Sequence, residues 1–428
     1  MTATRIPIRG ASRAGSAGVE APDTPREREP HDLAFACLTG LLICLGFVIV
    51  LDASFVHAFK GKNSGYDPHY YFFRQLLWAF LAGVALMVSA HVPYWKLRHP
   101  RIWLLGAGIA LCCLILVLIP GIGRAGMGAR RWLGFGPVRF QPSEFAKVAL
   151  VIFLARYSEL ARGRIRQLVP GFVVPVGVVC LLGGLIAIED LGTAITVVGT
   201  GIVMLLMMGA QPRHLGGVIG GAAVLGVLAI LVEGYRMKRI AAWVSLIFHP
   251  LAIHQGDAYQ PWLGLVALGS GGVFGQGIMR GNTKHMYLPA GHTDYIFATV
   301  GEECGLLGTL AILTLFGCLI IRGLTIAHRT RDWFGSLLAA GLTCSIGIQT
   351  VLNVAVVTCL IPCTGVPLPF ISYGGSSLLF TAVSAGLILS VSQFPGGAPK
   401  QARPAPEGNL GENTSDRGRN RRARVSRA

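Results

Sequence analysis

The chain has few charged residues, and acids are especially scarce. Only 13% of the 428 residues are charged, with 20 acidic against 37 basic side chains, whereas 53% are hydrophobic. The mean hydropathy is correspondingly high, at +0.59. This composition excludes an ordinary soluble globular domain and indicates an integral membrane protein.

Cysteine is present, but it lacks the spacing that a metal site requires. Eight of the ten cysteines fall inside long apolar runs, where they are expected to pack as small apolar side chains. The other two, Cys359 and Cys363, lie in a predicted outer loop without further ligands nearby. The sequence therefore predicts neither a disulfide framework nor a structural metal.

Apolar runs of membrane-spanning length recur along the chain. They predict an all-α membrane protein of about ten transmembrane helices, with a large extracytoplasmic loop, 234–294, between the seventh and eighth. Two segments of that loop, WVSLIFHPLAI and YQPWLGLVAL, are amphipathic and suit a membrane interface. The predicted spans are 33–52, 73–92, 101–120, 143–158, 169–188, 192–210, 214–233, 295–322, 334–358 and 376–394.

The formal charge of +17 follows the positive-inside rule and is no footprint of nucleic-acid binding. With both termini inside, the inside segments hold 24 of the 37 Lys and Arg residues and the outside segments hold 13. The first 32 residues lack the apolar core of a cleavable signal. We therefore expect a retained first span, both termini in the cytoplasm, and a bacterial cytoplasmic membrane location.

Composition divides the chain into three parts. The segments 1–32 and 396–428 are rich in Arg, Pro, Gly and Ser without hydrophobic periodicity, which predicts disordered cytoplasmic tails. Residues 33–395 form a single predicted membrane domain.

Basic residues are concentrated in GMGARRWLGFGPVRFQPSEFAK, residues 126–147, on the predicted outer side. Arg130, Arg131 and Arg139 suit a pyrophosphate or an anionic headgroup. They could equally reach lipid phosphates from a helix end without selectivity. Glu144 and Lys147 are spaced to pair on one helix face.

Acids recur in two further segments. IEDLGTA places Asp190 at the outer end of the fifth span, where it is either functional or simply solvated. LPAGHTDYIFATVGEE places Asp294 where the loop enters the eighth span, a position that also suits a helix cap. Glu302 and Glu303 lie two turns deeper and are predicted to be interior polar supports.

The fourth segment, NVAVVTCLIPCTGVPLPFISYGGSS at 353–377, interrupts the bundle with prolines and glycines. Irregular backbone at this depth occurs where it is buried in protein or lines a cavity. We therefore expect this segment to form part of a cavity wall.

In order along 33–394, these four segments resemble the SEDS family, the polytopic peptidoglycan polymerases of the RodA and FtsW type, with a slight lean to FtsW. The resemblance implies a glycosyltransferase that polymerises lipid II at the outer face of the membrane and releases undecaprenyl pyrophosphate. It implies inversion at the sugar carbon, with Asp294 as the catalytic base.

The resemblance and the four segments also predict substrate-binding residues and polar supports. Predicted substrate-binding residues are Arg130, Arg131, Trp132, Arg139, Lys147, His292, Thr293, Ser372, Gly374, Gly375 and Ser376. Predicted polar supports are Glu144, Asp190, Glu302, Glu303 and Asn353.

The resemblance also implies partners: a class B penicillin-binding protein acting as transpeptidase, and other divisome or elongasome proteins. No cofactor is required by the sequence, although a divalent cation such as Mg²⁺ or Mn²⁺ would suit the pyrophosphate. Two other functions fit the span count, a lipid II flippase and a non-catalytic scaffold.

The chain departs from the family pattern beside the proposed base. The family usually has Glu where this sequence has Ala290 or Gly291. We therefore expect the charge around Asp294 to be set by other residues, with Glu302 and Glu303 as candidates.

Overall fold

The computed structural model describes residues 29–60, 70–126, 129–135, 138–161, 165, 171–249, 256–282 and 291–396. All of these lie in one compact unit, Arg28–Ala398. The predicted tails, apart from 29–32 and 396, lie outside the described residues, and so does Ala290.

The described chain is predominantly α-helical, as the sequence predicts. Twelve α-helices are described: α1 (Leu33–Lys60), α2 (Tyr70–His91), α3 (Pro100–Leu118), α4 (Pro142–Leu160), α5 (Val173–Glu189), α6 (Leu191–Met207), α7 (Pro212–Val232), α8 (Gly234–Phe248), α9 (Tyr259–Ser270), α10 (Ile296–Arg329), α11 (Trp333–Val357) and α12 (Gly375–Ser392).

Each of the ten predicted spans coincides with one of these helices. Seven helices in the described residues are long and apolar enough to cross a membrane by length and composition. Helices α5 and α6 are apolar but only 17 residues long. Helix α4 is less apolar because it carries Glu144, Lys147, Arg156 and Glu159. The chain is a multi-pass membrane protein.

Proline marks the start of three of these helices. Pro100, Pro142 and Pro212 each occupy a first-turn position of α3, α4 or α7, where the missing backbone N–H costs nothing. Of the seven long apolar helices, α11 and α12 are the most buried. Helix α7 lies at the edge of the bundle, with Leu215 as its one buried residue.

Helix α10 is broken at Gly305, which has φ 67° and ψ −164°, a combination that only glycine adopts readily. The freed backbone groups bond to the glycine-rich segment 271–277. Leu306 and Leu307 donate to the carbonyls of residues 272 and 273, at 2.9 and 3.2 Å. The carbonyls of Glu302 and Glu303 accept from residues 276 and 277, at 2.9 and 3.0 Å. The part of α10 before Gly305 is therefore fastened to this loop segment.

A small antiparallel sheet is formed within residues 123–140, for which the sequence predicts only a basic segment. Its strands are β1 (Gly123–Gly126), β2 (Ala129–Phe135) and β3 (Val138–Phe140), in the order β1-β2-β3. Arg124 pairs with Trp132, and Gly134 pairs with Arg139. We call the end of the bundle that carries this sheet the sheet end.

Candidate active site

The turn 291–295 at the sheet end holds Asp294 immediately before α10. Asn353, which is completely buried in α11, donates through Nδ2 to the Asp294 carbonyl and to the Val366 carbonyl, both at 2.8 Å. One buried amide thus joins the turn to the irregular segment 358–374. This is the supporting role predicted for Asn353.

Ser372 provides a second link between the same two segments. Its hydroxyl donates to the Thr293 carbonyl at 2.6 Å and accepts from the Leu368 backbone N–H at 2.8 Å. The Tyr373 backbone N–H donates to the His292 carbonyl at 3.0 Å. Hydrogen bonds to their carbonyls therefore hold the backbone of three consecutive residues of the turn. This backbone fixes the point from which the Asp294 side chain extends.

Three aromatic rings close one side of the turn. The rings of Tyr71, His292 and Tyr373 have centroids 5.1 to 5.6 Å apart. His292, one of the predicted substrate-binding residues, thus packs between two tyrosine rings. Burial raises the pKa of Tyr373 to about 12, so its hydroxyl stays protonated at neutral pH.

The carboxylate of Asp294 lies next to a guanidinium. A Cβ added at Gly365 would be 3.3 Å from Asp294 Oδ2 and 3.7 Å from an Arg131 terminal nitrogen, so both side chains converge on this glycine. The helix-cap alternative is not realised, because the N-cap residue of α10 is Tyr295 and not Asp294.

Burial raises the pKa of Asp294 to about 6. Arg131 and Arg239 oppose the rise by favouring the charged form, and the nearby acid Asp190 adds to it. A carboxylate with this pKa is mostly ionised at neutral pH yet basic enough to accept a proton. That combination suits a general base.

Arg131 is itself positioned by the junction of α5 and α6. Its Nε donates to the Glu189 carbonyl at 3.2 Å, and a terminal nitrogen lies 3.4 Å from Asp190 Oδ2. The Arg130 backbone N–H donates to the Glu189 carboxylate at 2.7 Å. The sheet is thereby attached to IEDLGTA, so two motifs that are about 60 residues apart meet at one place.

Asp190 is buried rather than solvated. Its carboxylate caps α6, accepting from the Thr193 backbone N–H at 3.0 Å and from the Thr193 hydroxyl at 2.9 Å. Asp190 is 4% exposed. The alternative of a solvated turn therefore does not hold, and the supporting role is the one its contacts indicate.

The remaining arginine of the sheet, Arg139, is exposed on β3. Its carbonyl accepts from the Ser376 hydroxyl at 3.2 Å, and that hydroxyl accepts from the Gln141 N–H at the same distance.

Gly375 lets the Trp78 ring pack directly on the backbone, since a Cβ there would be 2.1 Å from the indole. Gly374 is the N-cap residue of α12 and has extended backbone. Trp132 is half-buried on β2.

Lys147 is buried in α4, away from the turn. Its ammonium lies 2.9 Å from Glu144 Oε2 and donates to Gln349 Oε1 at 2.5 Å. Gln349 in turn donates to the Pro367 carbonyl at 2.9 Å. The predicted pairing of Glu144 with Lys147 is present, and these contacts make Lys147 a support of the segment 358–374 rather than part of an open surface.

Glu302 and Glu303 are likewise interior, at 1% and 6% exposure. Glu302 Oε1 accepts from the Asn282 backbone N–H at 2.6 Å. Both carboxylates converge on Gly281, where a Cβ would lie 2.8 Å from the first and 3.1 Å from the second. They face Gly281 and not Asp294. The charges that act on Asp294 are those of Arg131, Asp190 and Arg239, so the expectation that Glu302 and Glu303 set the charge around it is wrong.

Two residues near Asp294 are not among the residues predicted from the sequence. Arg239 on α8 affects the pKa of Asp294, and Gly365 accommodates its carboxylate. Gly365 could have been found, because the run TGVPLP favours a turn with positive φ, and here φ is +72°. Arg239 could not, since no local pattern links it to a residue 55 positions away.

The described residues do not fit a preformed metal site. No group of three or more His, Cys, Asp or Glu side chains is clustered among them. The positive charge beside Asp294 and Asp190 comes from Arg131. We therefore derive no catalytic step through a divalent cation.

Comparisons with known proteins agree on one family. A family model described as cell cycle protein, FtsW/RodA/SpoVE, matches residues 32–395. Stage V sporulation protein E of Bacillus subtilis is 39% identical over 375 residues, covering 87% of this chain and 99% of that protein. A probable peptidoglycan glycosyltransferase FtsW of Geobacter metallireducens is 37% identical over 376 residues, covering 87% and 98%.

Solved structures are similar over the same region. One comes from a study of polymerization and crosslinking by a peptidoglycan synthase complex, with TM-score 0.68, 27% identity, and coverage of 85% of this chain and 98% of that one. Another is the rod shape determining protein RodA of Thermus thermophilus, with TM-score 0.56, 27% identity, and coverage of 85% and 97%.

Proposed function

This chain belongs to the FtsW/RodA/SpoVE family, and from that premise we propose that it polymerises lipid II into glycan strands with Asp294 as general base. Its relatives include proteins named as peptidoglycan glycosyltransferases, and the chain is an enzyme of that class. The observation that carries the proposal is the Asp294 carboxylate beside Arg131, with a pKa of about 6.

The base acts on the attacking sugar. Asp294 Oδ2 accepts the proton of the acceptor hydroxyl as its oxygen attacks the anomeric carbon of the donor. The raised pKa matches the proton affinity needed near neutral pH. The three fixed carbonyls of the turn hold the carboxylate in place, so little reorganisation is needed during the reaction.

The arginines of the sheet act on the leaving group. As the anomeric bond breaks, negative charge grows on the pyrophosphate, and a guanidinium stabilises that charge by bidentate hydrogen bonding. Arg131 is nearest to the base and is held by Glu189 and Asp190. Arg130 and Arg139 are exposed and can bind the same group or the lipid phosphate next to it.

One displacement accounts for the stereochemistry. The donor linkage is α and the product linkage is β, so attack opposite the leaving group inverts the carbon in a single step. Asp294 then serves as a base, and no covalent sugar–enzyme intermediate is formed.

A cross-linking partner and a membrane orientation complete the proposal. The similarity to a structure from a complex that couples polymerization with crosslinking supports a transpeptidase partner of the class B penicillin-binding type. The charge distribution supports both termini in the cytoplasm, with the sheet end outside the bacterial cytoplasmic membrane.

Purified protein with its transpeptidase partner and fluorescent lipid II provides the test. The parent is expected to give long glycan strands on a gel, and Asp294→Asn is expected to give none. The control is Glu233→Gln, which removes a more exposed carboxylate from the start of α8 and is expected to retain parental activity. Full polymerisation by Asp294→Asn would refute the base.

The same preparation in liposomes separates the flippase alternative. Translocation of the headgroup in the absence of polymer would support a carrier and contradict the proposal. A scaffold would show neither activity in any variant.

A further inference from the structure

A cavity of about 160 Å³ lies at the sheet end, outside the site described above. Helix α8 and the start of α9 form one wall, and the segment 359–363 forms the other. These are the amphipathic pieces of the large loop and the irregular segment, which the sequence alone does not place together. The side chains that matter are Tyr235, Arg239, Trp243, Asp257, Tyr259 and Gln260.

The walls are held together by hydrogen bonds, so the cavity is preformed. The Trp243 indole N–H donates to the Cys359 carbonyl at 2.8 Å. Arg239 donates to the Cys363 carbonyl at 3.0 Å, and its guanidinium lies over the Tyr235 ring, 4.6 Å from the centroid. Helix α8 therefore cannot leave the segment 359–363 without breaking both contacts.

The chemistry of the lining fits an uncharged, hydroxyl-rich ring. The aromatic residues Tyr235, Trp243 and Tyr259 line the cavity, and one face of the Tyr235 ring carries the Arg239 guanidinium. The C–H faces of a pyranose pack well against aromatic rings. Asp257 and Gln260 supply hydrogen-bonding groups for hydroxyl or acetamido substituents.

A pyrophosphate fits this lining poorly. Among the described residues that line the cavity, Arg239 is the one basic residue, and it is already bonded to a carbonyl and packed on a ring. Asp257 adds a negative charge, which repels an anion. The cavity thus differs in kind from the arginine-rich sheet.

The position of the cavity relative to Asp294 indicates that it holds a sugar of the acceptor and not of the donor. Arg239 influences the ionisation of Asp294, and Cys363 on the cavity wall is two residues from Gly365, which contacts the Asp294 carboxylate. A ring in the cavity is therefore next to the group that takes a proton from the acceptor. The donor's pyrophosphate belongs instead beside Arg131.

We propose that this cavity is a subsite for an uncharged pyranose ring of the acceptor glycan, gripped by Tyr235, Trp243 and Gln260. The inference rests on the proposed polymerase function and adds to it the residues that hold the acceptor. Arg239 is a positioning residue, since it joins the cavity wall to the base.

The first experiment measures binding without catalysis. The purified full chain is titrated with chitotetraose, a soluble tetramer of β-linked N-acetylglucosamine, and tryptophan emission is recorded. The parent is expected to show a saturable change, and Trp243→Phe is expected to lose most of it. Absence of a saturable change in the parent would overturn the subsite.

A matched pair of glutamines separates a local effect from a general one. Gln260→Ala is expected to weaken binding about five-fold, the loss of one ordinary hydrogen bond. Gln276→Ala removes a half-buried glutamine of the same outer loop that does not line the cavity, and it is expected to bind as the parent does. Equal weakening in both variants, or in neither, would overturn the proposal.

The second experiment measures polymerisation of lipid II by the same variants. Gln260→Ala is expected to raise the lipid II concentration for half-maximal rate while the maximal rate changes little. Unfolding temperatures in the same detergent show whether each variant is folded. A parent that polymerises but binds no glycan would refute the subsite alone, whereas a parent that does not polymerise would refute the proposed function.

Discussion

Replacing Asp294 by Asn is expected to abolish polymerisation and at the same time to stabilise the fold. Burial raises the pKa of Asp294 from 3.8 to about 6, so the folded protein disfavours the charged carboxylate. This rise corresponds to roughly 3 kcal/mol. Because the side chain keeps partial exposure, we expect about 1 to 2 kcal/mol after screening by solvent.

The effect of Asp294 on the free energy of unfolding depends on pH. In the parent, the destabilisation is absent below the unfolded pKa of 3.8, grows as pH rises, and is complete above about 6. The neutral amide does not ionise, so Asp294→Asn is expected to unfold at a higher temperature than the parent at pH 8 and at a similar temperature near pH 4.

The pH dependence of the polymerisation rate of the parent protein is a second test of Asp294 as the base. A base with a pKa of about 6 is about 90% ionised at pH 7 and about 10% ionised at pH 5. Polymerisation is therefore expected to fall roughly ten-fold over that interval. Initial rates with fluorescent lipid II and unfolding temperatures in one detergent measure both effects.

Two results would refute this reasoning. A rate that is flat between pH 5 and 8 would mean that no group with this pKa acts as the base. A lower unfolding temperature in Asp294→Asn at pH 8 would mean that the charged carboxylate stabilises the fold, and the loss of activity would then have a structural cause. Glu233→Gln, a more exposed control, is expected to change neither quantity.

Three further substitutions test the surroundings of the base. Arg131→Gln removes a charge that lowers the pKa of Asp294, so the acid limb of the pH–rate profile is expected to move to higher pH. Gly365→Ala places a Cβ 3.3 Å from Oδ2 at φ +72°, so the rate is expected to fall with a stability loss of about 1 to 2 kcal/mol, measured by denaturation. Gly305→Ala places a Cβ 2.4 Å from a backbone nitrogen, and it is expected to lower the unfolding temperature strongly, whereas Gly226→Ala in open space on α7 is expected to be neutral or stabilising.

The helices could be read from the sequence because each span is a long apolar run with little internal charge. Even α4 is found, although it contains a buried ion pair, because Pro142 marks its start and its apolar residues dominate. The sheet β1–β3 is harder to predict. Its strands are short, and they are stabilised by contacts with IEDLGTA about 60 residues away rather than by local alternation.

The candidate site was predictable in part. Asp294, Arg131 and Asn353 fall in motifs whose residue types are unusual for a membrane protein, so they stand out in the sequence. Arg239 does not, because one arginine in an amphipathic segment has an ordinary explanation as an interfacial residue. Its link to the base exists only through the packing of α8 on the segment 359–363.

The break at Gly305 divides α10 into two parts that have different contacts. Residues 296–304 are fastened to the loop 271–277, while residues 306–329 form the long apolar stretch that follows the break. Bilayers differ in thickness, and spans respond to mismatch by tilting. Because the backbone bonds change partners at the break, tilt of the long lower part need not be transmitted to the upper part. The position of Asp294 is then expected to be set by the loop, and the geometry around it is expected to be the same in bilayers of different thickness.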